Sequence, residues 1–258
     1  MAYRELLPHP ALRLFVDRFW ILTAAAGDGP RRILPDGCID VILDVDPESE
    51  GFGQATAVGT MTRAMLFHPP TRVRSAAVRF RPGGAAPFLR LPADTLTDPV
   101  VDAGDADARW LAPADSHVPC DPTAAVAALE RRLLARLHAI VAPDRAVAHA
   151  IDRLFSAAPP SIDELGHEIG WSRQHLARRF RTAVGVGPKQ LARVARLQRA
   201  VDHLQRDAIN LAGAAAELGY FDQAHMARDF RELAGLAPRD IRAARGSIFP
   251  IRSLWEAP

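Results

Sequence analysis

One short pattern is spelled twice in the last hundred residues, about fifty positions apart. The first copy runs Gly170-Trp171-Ser172-Arg173-Gln174-His175-Leu176-Ala177-Arg178-Arg179-Phe180-Arg181, followed by Gly185 and Pro188. The second runs Gly219-Tyr220-Phe221-Asp222-Gln223-Ala224-His225-Met226-Ala227-Arg228-Asp229-Phe230-Arg231, followed by Gly235 and Pro238. The order of glycine, aromatic, histidine, arginine, phenylalanine, arginine, glycine and proline is the same, with one extra residue in the second turn. Solenoid arrays need three or more units to bury their faces, so two copies specify a paired device.

Each copy reads as helix, tight turn, helix. Ser161 and Glu164 have capping-box spacing ahead of Ile162, Leu165 and Ile169. Gly166 and Ala215, each four residues before the turn glycine, leave room for a second helix to cross. Gly170 and Gly219 then permit a left-handed turn. Ser172 and Asp222 are N-caps for the second helices. Leu176, Phe180 and Val184 form the inner face of one, and Met226, Phe230 and Leu233 that of the other. Gly185 and Gly235 end them, and Pro188 and Pro238 suit the helix starts that follow. Between the copies, Lys189 to Gln205 carries Leu191, Val194, Leu197, Val201 and Leu204 on one side. A helix of that length spans about 25 Å. With the width of the two units, it can separate the second helices by about 34 Å, one turn of DNA.

The outward positions decide what such helices bind. They are Arg173, Gln174, Ala177, Arg178 and Arg181 on one, and Gln223, Ala224, His225, Arg228 and Arg231 on the other. Arginine pairs bidentately with guanine and glutamine with adenine, and alanine touches the thymine methyl. The remaining arginines would neutralise phosphates. A solvated polar face explains any one arginine as well, but not the repeated geometry. His175 and His225 each fit a local capping or packing role as well as base contact, and for His175 the local role is the one expected.

Charge distribution agrees. From Ser161 onward the chain has 15 Lys+Arg against 11 Asp+Glu, within an overall formal charge of +2. A mild basic excess there suits a polyanionic partner. Two cysteines, Cys38 and Cys120, are too few for a disulfide scaffold or a four-thiolate zinc site. No apolar signal region or membrane-length run is visible, so a cytoplasmic protein without a membrane partner is expected.

Upstream, the pattern changes. Residues 10 to 82 read as strands: Leu12 to Leu22, Arg31 to Leu34, Ile39 to Val45, Ala55 to Met61 and Val73 to Phe80, punctuated by Gly and Pro turns. A Pro/Asp-rich connection follows from Asp94 to Pro122. Thr123 to Val141 is then a helix with Val126, Leu129, Leu133, Leu137 and Ile140 at spacings of three and four. That stripe packs either on its own domain or on a twin helix across a homodimer. Ala142-Pro143-Asp144 breaks it. The expectation is an α+β chain: a β-rich domain over 1–141 ending in an amphipathic helix, and an all-α domain over 142–258 with two helix-turn-helix units joined by a linker helix.

With those residues in view, the chain resembles the AraC/XylS family of bacterial transcriptional regulators. The resemblance covers residues 144 to 245, most closely at Gly219-Tyr220, Asp222-Gln223-Ala224-His225, Arg228, Phe230-Arg231, Gly235 and Pro238. It implies a double-stranded DNA partner, an asymmetric site and, for an activator, RNA polymerase. The family's base-reading places fall on Gln174, Ala177 and Arg178, and on Gln223, Ala224, His225 and Arg228. Trp20, Pro35-Asp36-Gly37-Cys38 and Phe80-Arg81-Pro82-Gly83-Gly84 resemble a β-rich sensory domain. That implies a small barrel or cupin-like fold for a small-molecule effector or for dimerisation.

Two other readings stay open. One is a metal-dependent cupin-like enzyme tethered to DNA, and the other a constitutive DNA binder whose first domain only dimerises. Asp36, Cys38, Asp40, His68 and His117 lack metal-site spacing, so no metal is expected. No P-loop, GxGxxG or nucleophile elbow is present, so neither a cofactor nor a catalytic site is expected. Cys38 is either a buried small residue or a redox-sensitive thiol.

Overall fold

Alternating apolar residues at the start of the chain build one large antiparallel sheet. The computed structural model describes residues 1–25, 28–45, 55–69, 72–98, 100–102, 110, 121–206 and 211–249. Its strands are β1 (Ala2–Leu6), β2 (Val16–Ala25), β3 (Arg31–Ile33), β4 (Ile39–Asp44), β5 (Ala55–Val58), β6 (Met65–Phe67), β7 (Arg72–Phe80) and β8 (Val100–Asp102). Six pair in the order β1-β2-β7-β4-β5-β8, and β3 pairs separately with β6. Among the described strands, β1 and β8 remain edges, so the sheet is open where a barrel was expected. The short strands β1, β6 and β8 were not expected from sequence. Cys120, His117 and most of the Asp94–Pro122 connection lie outside the described residues.

Both faces of the large sheet are covered, as its near-continuous apolar runs require. On one face Phe19, Ile21, Val41, Leu43, Ala76, Val78 and Phe80 pack with Phe88, Val126, Leu129 and Leu133. Phe88 belongs to α1 (Ala86–Leu89) and the other three to α2 (Pro122–Leu137), whose N-cap Asp121 accepts from the Ala124 amide. The α2 stripe therefore packs on its own sheet, with Leu137 and Ile140 at the margin. On the opposite face Trp20, Leu22, Val73 and Ala77 meet Tyr3, Ile33, Ile42, Phe67 and Phe249.

The rest of the described chain is helical: α3 (Arg145–Phe155), α4 (Ile162–Ile169), α5 (Arg173–Val184), α6 (Pro188–Arg206), α7 (Leu211–Glu217) and α8 (Gln223–Asp229). A π-helical turn over Phe230–Ala234 prolongs α8. One core joins α3, α4, α5 and the start of α6 through Ile151, Leu154, Leu165, Phe180 and Leu191. Another joins the end of α6 to α7, α8 and the π turn through Leu197, Leu204, Met226, Phe230 and Leu233. Leu34 and Ile248 complete it from outside the helix-turn-helix. Arg153 of α3 holds Glu168 of α4 with two hydrogen bonds of 3.0 and 2.9 Å.

The two halves are joined by hydrogen bonds as well as by packing. Gln198, buried on α6, donates its side-chain amide to the Pro35 carbonyl at 2.6 Å. Thr60 and Thr97 donate their hydroxyls to the carbonyls of Val184 and Gly185, both at 2.6 Å. Arg32 donates to the Ala234 carbonyl at 3.1 Å, and the Ala64 amide to that of Leu233 at 2.7 Å. The sheet-rich half thus caps the C-terminal carbonyls of both second helices, which a helix leaves unsatisfied.

Replacing Gln198 with Leu strands the buried Pro35 carbonyl, and unfolding in urea should show a loss of about 1–3 kcal/mol. The Arg153 hydrogen bonds, chiefly, hold the Glu168 carboxyl at about 2, below its usual 4.5. Its folded value is depressed, so the contribution is full above the unfolded value and lost as pH falls through about 2. Carboxyl NMR titration should find a midpoint near that value, and Arg153→Ala should return it toward the ordinary carboxylate range.

Candidate nucleic-acid interface

The two copies of the pattern fold into the same local geometry. Gly170 takes φ 71° and Gly219 φ 76°. The Trp171 amide donates back to Gly166 at 2.9 Å, and the Tyr220 amide back to Ala215 at 2.9 Å. These are Schellman-type closures. A Cβ on Gly166 would lie 2.9 Å from the Trp171 carbonyl oxygen, which is why a glycine sits there. The cap Ser172 accepts from the His175 amide at 3.3 Å, and Asp222 from the His225 amide at 2.6 Å. Ser161 and Glu164 complete the capping box on α4. Leu176, Phe180, Met226 and Phe230 are fully buried. Each helix ends at a left-handed glycine, Gly185 or Gly235.

With the inner faces fixed, the outward residues follow. Arg173, Gln174, Arg178 and Arg181 on α5 are exposed, and Ala177 is half-buried. Gln223, Ala224 and Arg228 on α8 and Arg231 on the π turn are exposed, and His225 is half-buried. Among the described residues Arg181, Arg228 and Arg231 have no side-chain partner. Arg173 instead forms an ion pair with Asp163 of α4. Arg178 lies 3.4 Å from the His175 ring nitrogen. The two histidines have matching local roles. His175 meets the Trp171 ring edge-on at 4.6 Å, and His225 meets Tyr220 at 5.4 Å. His225 Nδ1 also accepts from the Phe221 amide at 3.3 Å.

Several residues at this surface carry no signal in the sequence pattern. Seven residues after each N-cap, one copy has Arg179 and the other Asp229. Arg179 pairs outward with Asp144, the N-cap of α3, at 2.6 Å. Asp229 is only 2% exposed and accepts from Arg193 at 2.8 Å and Arg196 at 3.0 Å. Arg196 also lies over the Tyr220 ring at 4.7 Å and donates to the Gly219 carbonyl at 3.3 Å. Opposite polarities thus tether each second helix to its neighbour. A cleft of about 940 Å³ lies between the units, lined by Lys189, Arg193, Arg196 and Arg199 of α6 together with Arg228. Those basic positions share one side of α6, which the apolar periodicity of the opposite side hid. The extra residue of the second turn is Phe221, 92% exposed.

In the first half, the residues weighed as metal ligands are arranged otherwise. Asp40 takes a bidentate pair from Arg79 at 3.0 and 2.8 Å, and Asp36 lies 3.5 Å from the same guanidinium. His68 is exposed. No group of three metal-ligating side chains occurs among the described residues. Cys38 is a buried free thiol whose pKa is pushed up, chiefly by burial and then by the Asp36 charge. It is a packed small residue, so the redox reading of this thiol loses its basis.

Comparisons with known proteins match two separate stretches of the chain. A helix-turn-helix domain profile matches residues 165–244, and a domain of unknown function (DUF6597) matches residues 4–102. HTH-type transcriptional regulators of Staphylococcus aureus strains MSSA476 and N315 are 28% identical over 88 residues, 34% of this chain. The chain spans about 12% of the length of these relatives. Among solved structures, an AraC-type regulator from Chromobacterium violaceum is 25% identical, with TM-score 0.37, over 39% of this chain and 92% of its own. ToxT from Vibrio cholerae is 6% identical with TM-score 0.42, over 94% of this chain and 98% of its own.

Asp229→Ala removes the carboxylate that Arg193 and Arg196 share in a part-buried site, leaving Arg193 with Glu232 and Arg196 with the Gly219 carbonyl. Urea unfolding should show a loss of about 2–3 kcal/mol, discounted for the partial exposure of both arginines. Arg179→Ala removes an exposed pair and should cost under about 1 kcal/mol. Cys38 should resist thiol reagents in the folded chain and label only after denaturation.

Proposed function

We propose that the chain, whose residues 165–244 match a helix-turn-helix domain, is a sequence-specific, effector-responsive transcriptional regulator. The observation that carries this reading is the doubled turn geometry, which exposes arginines at matching positions in both copies, Arg178 with Arg228 and Arg181 with Arg231. In this reading α5 and α8 enter successive major grooves. Gln174, Ala177 and Arg178 read bases from one, and Gln223, Ala224, His225 and Arg228 from the other. Arg173, Arg181 and Arg231 take phosphates, and Lys189 and Arg199 extend that track along the cleft between the units. His225 must leave its Tyr220 edge contact to touch a base, so its contribution is smaller than that of Arg228.

Residues 1–141 then serve as the sensing or dimerising half and 142–258 as the DNA-binding half, acting without catalysis in the cytoplasm. Among the described residues no helix is long and apolar enough to cross a membrane. The carbonyl caps that Thr60, Thr97, Arg32 and Ala64 place on the two reader helices support an effector-responsive regulator over a constitutive binder. Through them, a change in the sheet reaches both readers. An activator of this design would also contact RNA polymerase, and a dimer would double the site.

Selection of bound sequences from a random DNA pool, followed by titration, tests the proposal. Arg228→Ala should weaken operator binding by about 1–3 kcal/mol and relax preference at one base pair. Lys189→Ala should weaken all sequences alike and reduce the salt slope by about one ion. A full chain that ignores DNA at low salt would sink the assignment.

A further inference from the structure

After the second helix-turn-helix the chain returns to the first half. Ser247–Phe249 lies parallel to β3: the Arg32 amide donates to the Ser247 carbonyl at 2.7 Å, and the Phe249 amide to the Arg32 carbonyl at 2.8 Å. Extended backbone sends successive side chains to opposite sides. Ile248 accordingly enters the core of the second helix-turn-helix, and Phe249 enters the covered face of the large sheet. Three residues therefore tie the second reader to the sheet from within both cores.

Phe249 sits in an aromatic seat. It meets Tyr3 edge-on at 4.8 Å and Trp20 at 6.5 Å, and those two rings are 6.1 Å apart. The Phe249 side chain is 6% exposed. The same sheet face carries the buried Trp20 Nε1, which has no hydrogen-bond acceptor among the described residues, and Arg79 Nη1, which makes no hydrogen bond there and lies 3.5 Å from the Asp36 carboxylate. Buried donors left unmade are costly, and a ligand bearing an acceptor would satisfy them. Arg79 is already matched by Asp36 and Asp40, so there is no surplus positive charge for an anion.

We propose that this seat is the effector site, that its ligand is a neutral aromatic molecule carrying a hydrogen-bond acceptor, and that Phe249 occupies the seat in the ligand's absence. The inference rests on the regulator reading and names the sensing step within it. A ligand that takes the ring position expels Phe249, breaks the pairing with β3 and withdraws Ile248 from the second helix-turn-helix. An internal competitor lowers apparent ligand affinity by the fraction of time that it holds the site.

Acetophenone, an arene with one carbonyl acceptor, is the probe, used on the full chain. Calorimetry should find it bound about ten-fold more tightly by Phe249→Ala than by the unaltered protein. Phe249→Leu, which keeps an apolar side chain in the seat, should fall between and guards against simple loss of the Ser247–Phe249 pairing. Ethylbenzene, which lacks the acceptor, should bind Phe249→Ala several-fold more weakly than acetophenone. Saturating acetophenone on the unaltered chain should speed hydrogen exchange at the Arg32 and Phe249 amides about ten-fold. The Trp171 and Leu176 amides of the first unit should not change. Equal affinity in all three proteins, no binding to Phe249→Ala, or unmoved Arg32 and Phe249 amides overturns the proposal. None of these measurements involves DNA, so a failure to bind DNA would strike the regulator assignment and leave the seat standing.

Discussion

The second helix of the second helix-turn-helix is held to the linker helix by one buried carboxylate. Asp229 receives guanidinium hydrogen bonds from Arg193 and Arg196, two positions on the linker helix α6 one turn apart. A shared carboxylate in a site that is mostly dry is costly to leave half-paired, so it fixes the helix in register with α6. The face opposite is then free to carry exposed arginine, glutamine and alanine. In the second unit the anchoring carboxylate faces inward, and Arg228 and Arg231 on the outer side are left without a side-chain partner among the described residues. The first unit follows the same scheme with weaker means, since Arg179 pairs with Asp144 in a more exposed position.

The seam between the halves adds a second layer of constraint. Helix ends present carbonyls that need donors, and the sheet-rich half supplies them from Thr60, Thr97, Arg32 and Ala64. Polar contacts of this kind are directional, so they specify one docking arrangement where apolar packing alone would tolerate several. Leu34 strengthens the attachment by inserting into the core of the second unit. Movement in the sheet must therefore either break these bonds or carry the ends of α5 and of the π turn with it.

What was legible in the sequence was local. Ser161, Ser172 and Asp222 act as caps because capping needs only the next three residues, and Gly170 and Gly219 turn because only glycine enters that conformation cheaply. The α2 stripe and the inner faces of α5 and α8 were readable because helical period is a short-range signal. The β1, β6 and β8 strands were not, since three to five residues give too little alternation. Asp229 was hidden because the matching position in the first copy is an arginine. The seam was invisible for a different reason. Nothing near Gln198 announces Pro35, and nothing near Ile248 announces Arg32, because such pairings are decided by topology. The open sheet in place of a barrel has the same origin, as closure depends on which edges meet.

The parallel pairing of β3 with Ser247–Phe249 bears on how the polypeptide acquires its shape. The Arg32–Ala234 hydrogen bond beside it already spans 202 positions. During synthesis β3 waits with one edge open while the entire helical half is made, and unpaired edges invite foreign strands. Long-range closures of this kind are also entropically slow. Closure of that edge of β3 therefore waits on residues 247–249, and until they are made it stays an adhesive border.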